Sequence, residues 1–307
     1  MIPAPRGSAP HAGGVHISDE SSSTVESPTH AAGFVRGLAL SCHPLPTVAV
    51  TAISAGLAAL AGLSLSRGAL LVAAVFAGQL SIGWSNDAID AARDRATERS
   101  DKPVAQGAVS PRLVGIAAGL ALLGAVGLSL ALGLLPGLAS LTVVACGWLY
   151  NLGLKATAFS FLPYAIAFGT LPAVATLALP ESIWPAPWAM VAGAFFGMSA
   201  HLANVLPDLD DDLDTGVRGL PHLIGARATA VACPVLLGAA SLVILFGTAG
   251  PSPQPWRWVA AAGLVALAGA GVVVGLRQPK SRALFVIVIA AALIAVVLFA
   301  VSGQSLT

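Results

Sequence analysis

Nine stretches of roughly twenty apolar residues divide this chain, each long enough to cross the hydrocarbon core of a bilayer as a helix. They run at about 44–65, 68–92, 112–133, 135–153, 159–179, 187–210, 227–247, 256–276 and 282–302. Lipid offers no partner to a free backbone amide, so such segments fold as helices. The expected fold is all-α, a polytopic membrane bundle of about nine transmembrane helices. Only 9% of the residues are charged and 56% are hydrophobic, against about 25% charged in a soluble domain. Most breaks carry Gly, Pro or charge, as in LGLLPG, LPESIWPAP and GPSPQPWRW. Trp184, Trp188, Trp256 and Trp258 fall at expected span ends, where indole favours the interface.

Residues 1–33 are polar and rich in Ser, Pro, Gly and His, without apolar periodicity. They are expected to form a disordered cytoplasmic tail ahead of one membrane domain over 34–307. Nine spans put the termini on opposite sides. With the N-terminus inside, thirteen of the fifteen Lys and Arg residues are cytoplasmic, leaving Arg67 and Arg257 outside. That asymmetry fixes the expected orientation, with the C-terminus outside. A net charge of +1 gives nucleic acid nothing to bind, and nothing points to an obligate protein partner. Cys42, Cys146 and Cys233 lie far apart in apolar segments and read as small core fillers.

The carboxylates are placed unevenly. Of fourteen Asp and Glu residues, three lie in the tail and Glu181 lies in an expected outer loop. The other ten form two clusters at cytoplasmic span ends: Asp87, Asp90, Asp94, Glu98 and Asp101, then Asp208, Asp210, Asp211, Asp212 and Asp214. In the first, Asn86, Asp90 and Asp94 are spaced i, i+4, i+8, which makes one polar stripe on a helix. Asn204, Asp208 and Asp212 repeat that spacing. Pro103 and Gly107 follow the first stripe as Pro221 and Gly225 follow the second, so one offset of 118 residues superimposes all five positions. This pattern implies an internal duplication, with spans two to five echoed by six to nine and both stripes facing a shared cavity.

Like carboxylates one turn apart repel, and a bound divalent ion relieves that repulsion. All-oxygen donors without His or Cys suit Mg²⁺, which prefers to share its ligands with phosphate. Asp210, Asp211 and Asp214 cannot all face inward, and Asp211 is the expected surface charge.

NDAIDAARD (86–94) fits an NDxxDxxxD motif, and DLDDD (208–212) fits DxxxD. With nine helices and internal pseudo-symmetry, the chain resembles the UbiA superfamily of membrane prenyltransferases over about residues 34–307. The resemblance implies a Mg²⁺-dependent transfer of an isoprenyl group from an isoprenyl diphosphate to a hydrophobic acceptor, aromatic or a quinone precursor. Carried over to this sequence, Asn86, Asp87, Asp90 and Asp94 would hold one ion, and Asp208 and Asp212 another. The duplication adds Asn204. Arg99, Lys102 and Arg218 are the nearby cations for the diphosphate. Tyr150 and Lys155, in YNLGLK, occupy the region where the family often carries a Tyr and a Lys, giving a cation-stabilising wall and a diphosphate ligand.

One departure stands out. Many relatives acting on aromatic acids carry Arg-Pro near the start of helix one, where this chain has His43-Pro44. That puts a carboxylate-bearing acceptor in doubt. His201 lies three residues before Asn204 and could point into the same cavity, and His222 reads as a loop residue. Three other readings remain: a terpene cyclase of the same superfamily, a cation or lipid-phosphate transporter, and a structural membrane protein. A transporter needs acids along a path to both faces, and the outer half of this chain has almost none.

Overall fold

A computed structural model describes residues 28–307 apart from 98, 100, 101, 249–254, 303–305 and 307. Among them every regular element is helical. The α-helices are α1 (Pro28–Ser41), α2 (Pro44–Leu60), α3 (Leu65–Ala96), α4 (Pro111–Ala131), α5 (Leu134–Leu152), α6 (Leu162–Thr176), α7 (Pro187–Val205), α8 (Leu209–Asp214), α9 (Leu220–Ile224), α10 (Ala226–Gly247), α11 (Pro255–Arg277) and α12 (Ala283–Ser302). Short 3-10 turns cover Leu154–Ala156 and Leu206–Asp208. Most of the expected tail, residues 1–27, lies outside the described residues, and helix α1 already covers its last part.

All nine expected segments are helical. Helices α3, α4, α5, α10 and the stretch Pro187–Asp214 are long and apolar enough to cross a membrane. The pair α1–α2, bent by 60°, makes a sixth span if counted as one. Helix α6 has 15 residues, about 22 Å at 1.5 Å per residue, which is short of a roughly 30 Å core. The apolar stretches Ala261–Arg277 of α11 and Ala283–Val297 of α12 are short as well.

Local chemistry sets the ends. Ser64 and Ser110 cap α3 and α4 by accepting from the amides of Arg67 and Leu113, relieving donors that a first turn leaves unpaired. Proline stands in the first turn of α2, α4, α6 and α7, where its missing amide costs nothing. The α1–α2 bend falls at His43, which takes a left-handed conformation (φ 55°) just before Pro44. Pro disfavours helical geometry in the residue before it.

Helices α2, α3, α5, α6, α7 and α12 surround a central cavity, and α12 packs on α2 to close the ring. Helix α4 packs outside on α3 and α5, while α10 and α11 pack outside the second half. The segments that the 118-residue offset would pair are used unequally, because α5 lines the cavity and α11 does not. Close approach depends on small residues. A Cβ on Gly83 would strike the backbone of Cys42, and one on Gly197 would strike the Tyr164 carbonyl on α6. Gly169 and Gly193 serve the same α6–α7 contact, as packing in lipid requires. All three cysteines are buried and free.

At the end of the bundle opposite the acidic clusters, Arg67 ties separate loops together. Its Nε donates to the Ala178 carbonyl at 2.8 Å and its Nη2 to the Leu132 carbonyl at 2.7 Å. Arg67→Ala is expected to destabilise the protein by about 2–3 kcal/mol, the range for losing charge-assisted hydrogen bonds. Thermal unfolding in detergent would register the fall, and Arg67→Lys should restore part of it.

Candidate functional site

Helix α3 runs without interruption through the first motif, so Asn86, Asp87, Asp90 and Asp94 stand within about three turns of its end. Its three aspartates are buried. The second motif is carried differently. Pro207 interrupts the ladder after Val205, and the chain passes through a 3-10 turn before α8 resumes at Leu209. Asn204, Asp208 and Asp212 are thus not on one regular helix, although the i, i+4 spacing matches the first stripe.

One polar cavity of about 370 Å³ is lined by Asn86, Asp87, Asp90 and Asp94 from the first motif and by Asn204, Asp208 and Asp212 from the second. Arg99, Lys102, Lys155 and Tyr150 line it too, as do His201 and His222. Arg218 is exposed and is not among its lining residues. Glu98 and Asp101 lie outside the described residues. Asp210 and Asp211 are exposed, and Asp210 pairs with Lys280.

Cations hold the acids in place. Lys102 donates to Asp87 Oδ1 at 2.6 Å and to Asn86 Oδ1 at 3.3 Å, and stands 3.7 Å from Asp94. His43 Nε2 reaches the same Asp87 oxygen at 2.9 Å. Lys155 Nζ lies 2.5 and 2.6 Å from the two oxygens of Asp90, whose Oδ2 also accepts from Arg93 at 2.7 Å. Burial pulls the Lys155 ammonium below its ordinary value, against the opposing charge of Asp90. Arg99 spans the halves, with Nη2 3.2 Å from Asp208 and Nη1 3.9 Å from Asp211. His222 Nε2 stands 3.6 Å from Asp212, too far for a hydrogen bond.

Three residues matter more than the sequence indicated. Asn151 anchors the first motif to α5: it accepts from Asn86 Nδ2 at 3.1 Å and donates to Ser85 Oγ and the Ile82 carbonyl. It lies inside YNLGLK, but an Asn at a helix end reads as an ordinary cap. Arg93 looked like a topology charge. His43, at the left-handed bend, lines the cavity and bonds Asp87. His201 is fully buried, with Nε2 3.0 Å from Ser160 Oγ. Its ring packs near Tyr150 and Tyr164, themselves in edge-to-face contact at 5.2 Å.

The polar cavity meets an apolar one of about 180 Å³, and His43, Pro46, Asn86, Tyr150, Asn204 and Phe285 line both. An amphipathic ligand with an anionic head fits this pair. No three His, Cys, Asp or Glu side chains among the described residues converge tightly enough to cage an ion. The donors nonetheless suit Mg²⁺ shared with a phosphate, which needs only one or two carboxylates from the protein. Asp87 Oδ2 is buried without a hydrogen-bond partner, as a ligand oxygen awaiting a cation would be.

Residues 47–294 match the sequence model of the UbiA prenyltransferase family. Several solved structures share the fold at low identity. A UbiA homolog from Archaeoglobus fulgidus bound to GPP and Mg²⁺ aligns with TM-score 0.69 and 15% identity, over 87% of this chain and 98% of that one. The apo UbiA homolog from Aeropyrum pernix K1 aligns with TM-score 0.68 and 18% identity, over 84% and 98%. A digeranylgeranylglyceryl phosphate synthase structure aligns with TM-score 0.60 and 15% identity, over 88% and 98%. No curated protein matches the sequence.

Breaking the Lys102–Asp87 pair leaves a buried carboxylate with only His43 beside it. Lys102→Met is expected to cost about 3 kcal/mol, the low end for orphaning a buried charge. Adding Asp87→Asn should recover much of the loss, and thermal melts of the single and double variants would measure the coupling.

Proposed function

We propose, since the chain belongs to the UbiA prenyltransferase family, that it moves an isoprenyl group from an isoprenyl diphosphate to a hydrophobic acceptor, with Mg²⁺ as the metal. The observation that supports this most is that Asp90 and Asp208, 118 residues apart, line one polar cavity continuous with an apolar one. A diphosphate head would lie among the carboxylates and cations, and its hydrocarbon chain would lie below Tyr150.

In this reading Asn86, Asp87, Asp90 and Asp94 hold metal on one side, and Asn204, Asp208 and Asp212 hold it on the other. The metal supplies positive charge that stabilises diphosphate as the allylic C–O bond breaks. Lys155, Lys102 and Arg99, which here pair with Asp90, Asp87 and Asp208, would turn to the diphosphate oxygens once metal takes up those carboxylates. Tyr150 and Tyr164 offer ring faces to the allylic cation. His43 stands where relatives acting on aromatic acids carry Arg, which favours an acceptor without a carboxylate, such as an aromatic or quinone precursor.

The membrane placement follows the same reading. Residues 34–307 form the catalytic domain behind a cytoplasmic tail. Nine spans carry it, with the short helices tilting the bilayer balance by local thinning. Both acidic motifs face the cytoplasm and the C-terminus lies outside. In intact cells Glu181→Cys should label with an impermeant thiol reagent and Lys280→Cys should not; the reverse pattern would invert the topology.

Incubating membranes with labelled geranyl, farnesyl and geranylgeranyl diphosphates tests the chemistry. Asp90→Ala and Asp208→Ala are each expected to cut Mg²⁺-dependent diphosphate release by about 10²-fold or more, the scale for losing transition-state charge stabilisation. Unchanged turnover in both would remove those residues from the site. A hydrocarbon or terpene alcohol formed without acceptor would replace transfer by cyclisation.

A further inference from the structure

A second apolar cavity, of about 80 Å³, continues the first. The two share Ile53, Phe168, Leu171, Phe196 and Ala292. Three helices line the polar cavity and both apolar chambers in the same order. Along α2 the lining passes from Pro44–Pro46, through Pro46–Ile53, to Ile53–Leu60. On α7 it passes from Asn204, through Ala200 and Phe196, to Ala192 and Trp188, and on α12 from Phe285, through Val288, to Ala292 and Val296. The polar cavity and the two chambers therefore form one track, whose apolar parts meet beside Phe168 and Phe196. Trp188, Ile244 and Leu306 line its far end, where the Ala186 amide donates to the Leu306 carbonyl at 2.7 Å.

The residue steps along α2 measure this track. Pro46 to Ile53 and Ile53 to Leu60 are equal steps of about 10 Å each at 1.5 Å per residue. An extended isoprene unit advances roughly 5 Å, from its four carbon–carbon bonds of about 1.5 Å. About two units reach Ile53, where the two chambers meet, and about four reach Leu60 in the second chamber. We propose, resting on the reading above that the head group is an isoprenyl diphosphate, that the natural donor carries roughly three to four isoprene units. Its last units pass beside Phe168 and Phe196 into the second chamber. Packing of those units against the chamber walls rewards the longer chain, because each methylene there gains close contacts that fluid lipid does not give it.

The test uses the full-length protein in lipid nanodiscs with Mg²⁺ and non-hydrolysable thio-analogues of the two-, three- and four-unit diphosphates. The longer two are expected to bind at least about tenfold more tightly than the two-unit analogue, from the closer packing of the extra methylenes. Ala192→Leu fills the second chamber from α7. It should cost the longer analogues about tenfold while leaving the two-unit analogue within about twofold. If that variant does not fold, the length series on the unaltered protein decides alone. Equal affinity at all lengths, or an equal loss for all in Ala192→Leu, overturns the inference and leaves the diphosphate site standing. Failure of every analogue to bind, with pyrophosphate also inert, overturns the diphosphate reading and this inference with it.

Discussion

A carboxylate taken out of water must meet a positive charge, and the interior of this bundle is organised by that requirement. Asp87, Asp90 and Asp94 are buried at the end of α3. Each stands beside a lysine or arginine brought from another segment or from the next turn: Lys102 from the following loop, Lys155 from the turn after α5, and Arg93 from α3 itself. Charge so arranged is held close and kept short of solvent, where Coulomb interactions are strong. A protein with 9% charged residues has little to spare for other purposes.

The rest of the architecture serves the same end. Asn151 fixes α5 against α3 at the level of the motif, so the Lys155 turn arrives beside Asp90. Gly83 lets the Cys42–His43 bend press onto α3, which carries the His43 ring to Asp87. Gly197 brings α7 against α6, and Tyr164 on α6 then meets Tyr150 and His201. Close backbone contact on one side of each helix thereby sets where polar side chains converge on the other.

Much of this was legible in the residues. Apolar runs located all nine long helices α2 to α7 and α10 to α12, because span length and Pro, Gly or Ser breaks are local properties. The repeated i, i+4, i+8 spacing brought Asp90 and Asp208 to one cavity. Pairing was less legible, since partners such as Asn86–Asn151 and Arg99–Asp208 meet only after folding. A cation at a helix end reads equally as a topology signal, so the sequence does not set Arg93, which pairs with Asp90, above Arg218, which is exposed. Pro207 inside the second motif signals a helix break, a local cue that the i, i+4, i+8 spacing around it contradicts.

That break separates the two motifs in one more respect. Each residue turns an α-helix by about 100°, so inserting or deleting a single residue within α3 would rotate its acids away from their partners. The second motif lies beyond the 3-10 turn at Leu206–Asp208, with α-helix resuming only at Leu209. A change of length there need not swing Asp212 with α7, whereas in α3 it would carry every acid of the first motif around together.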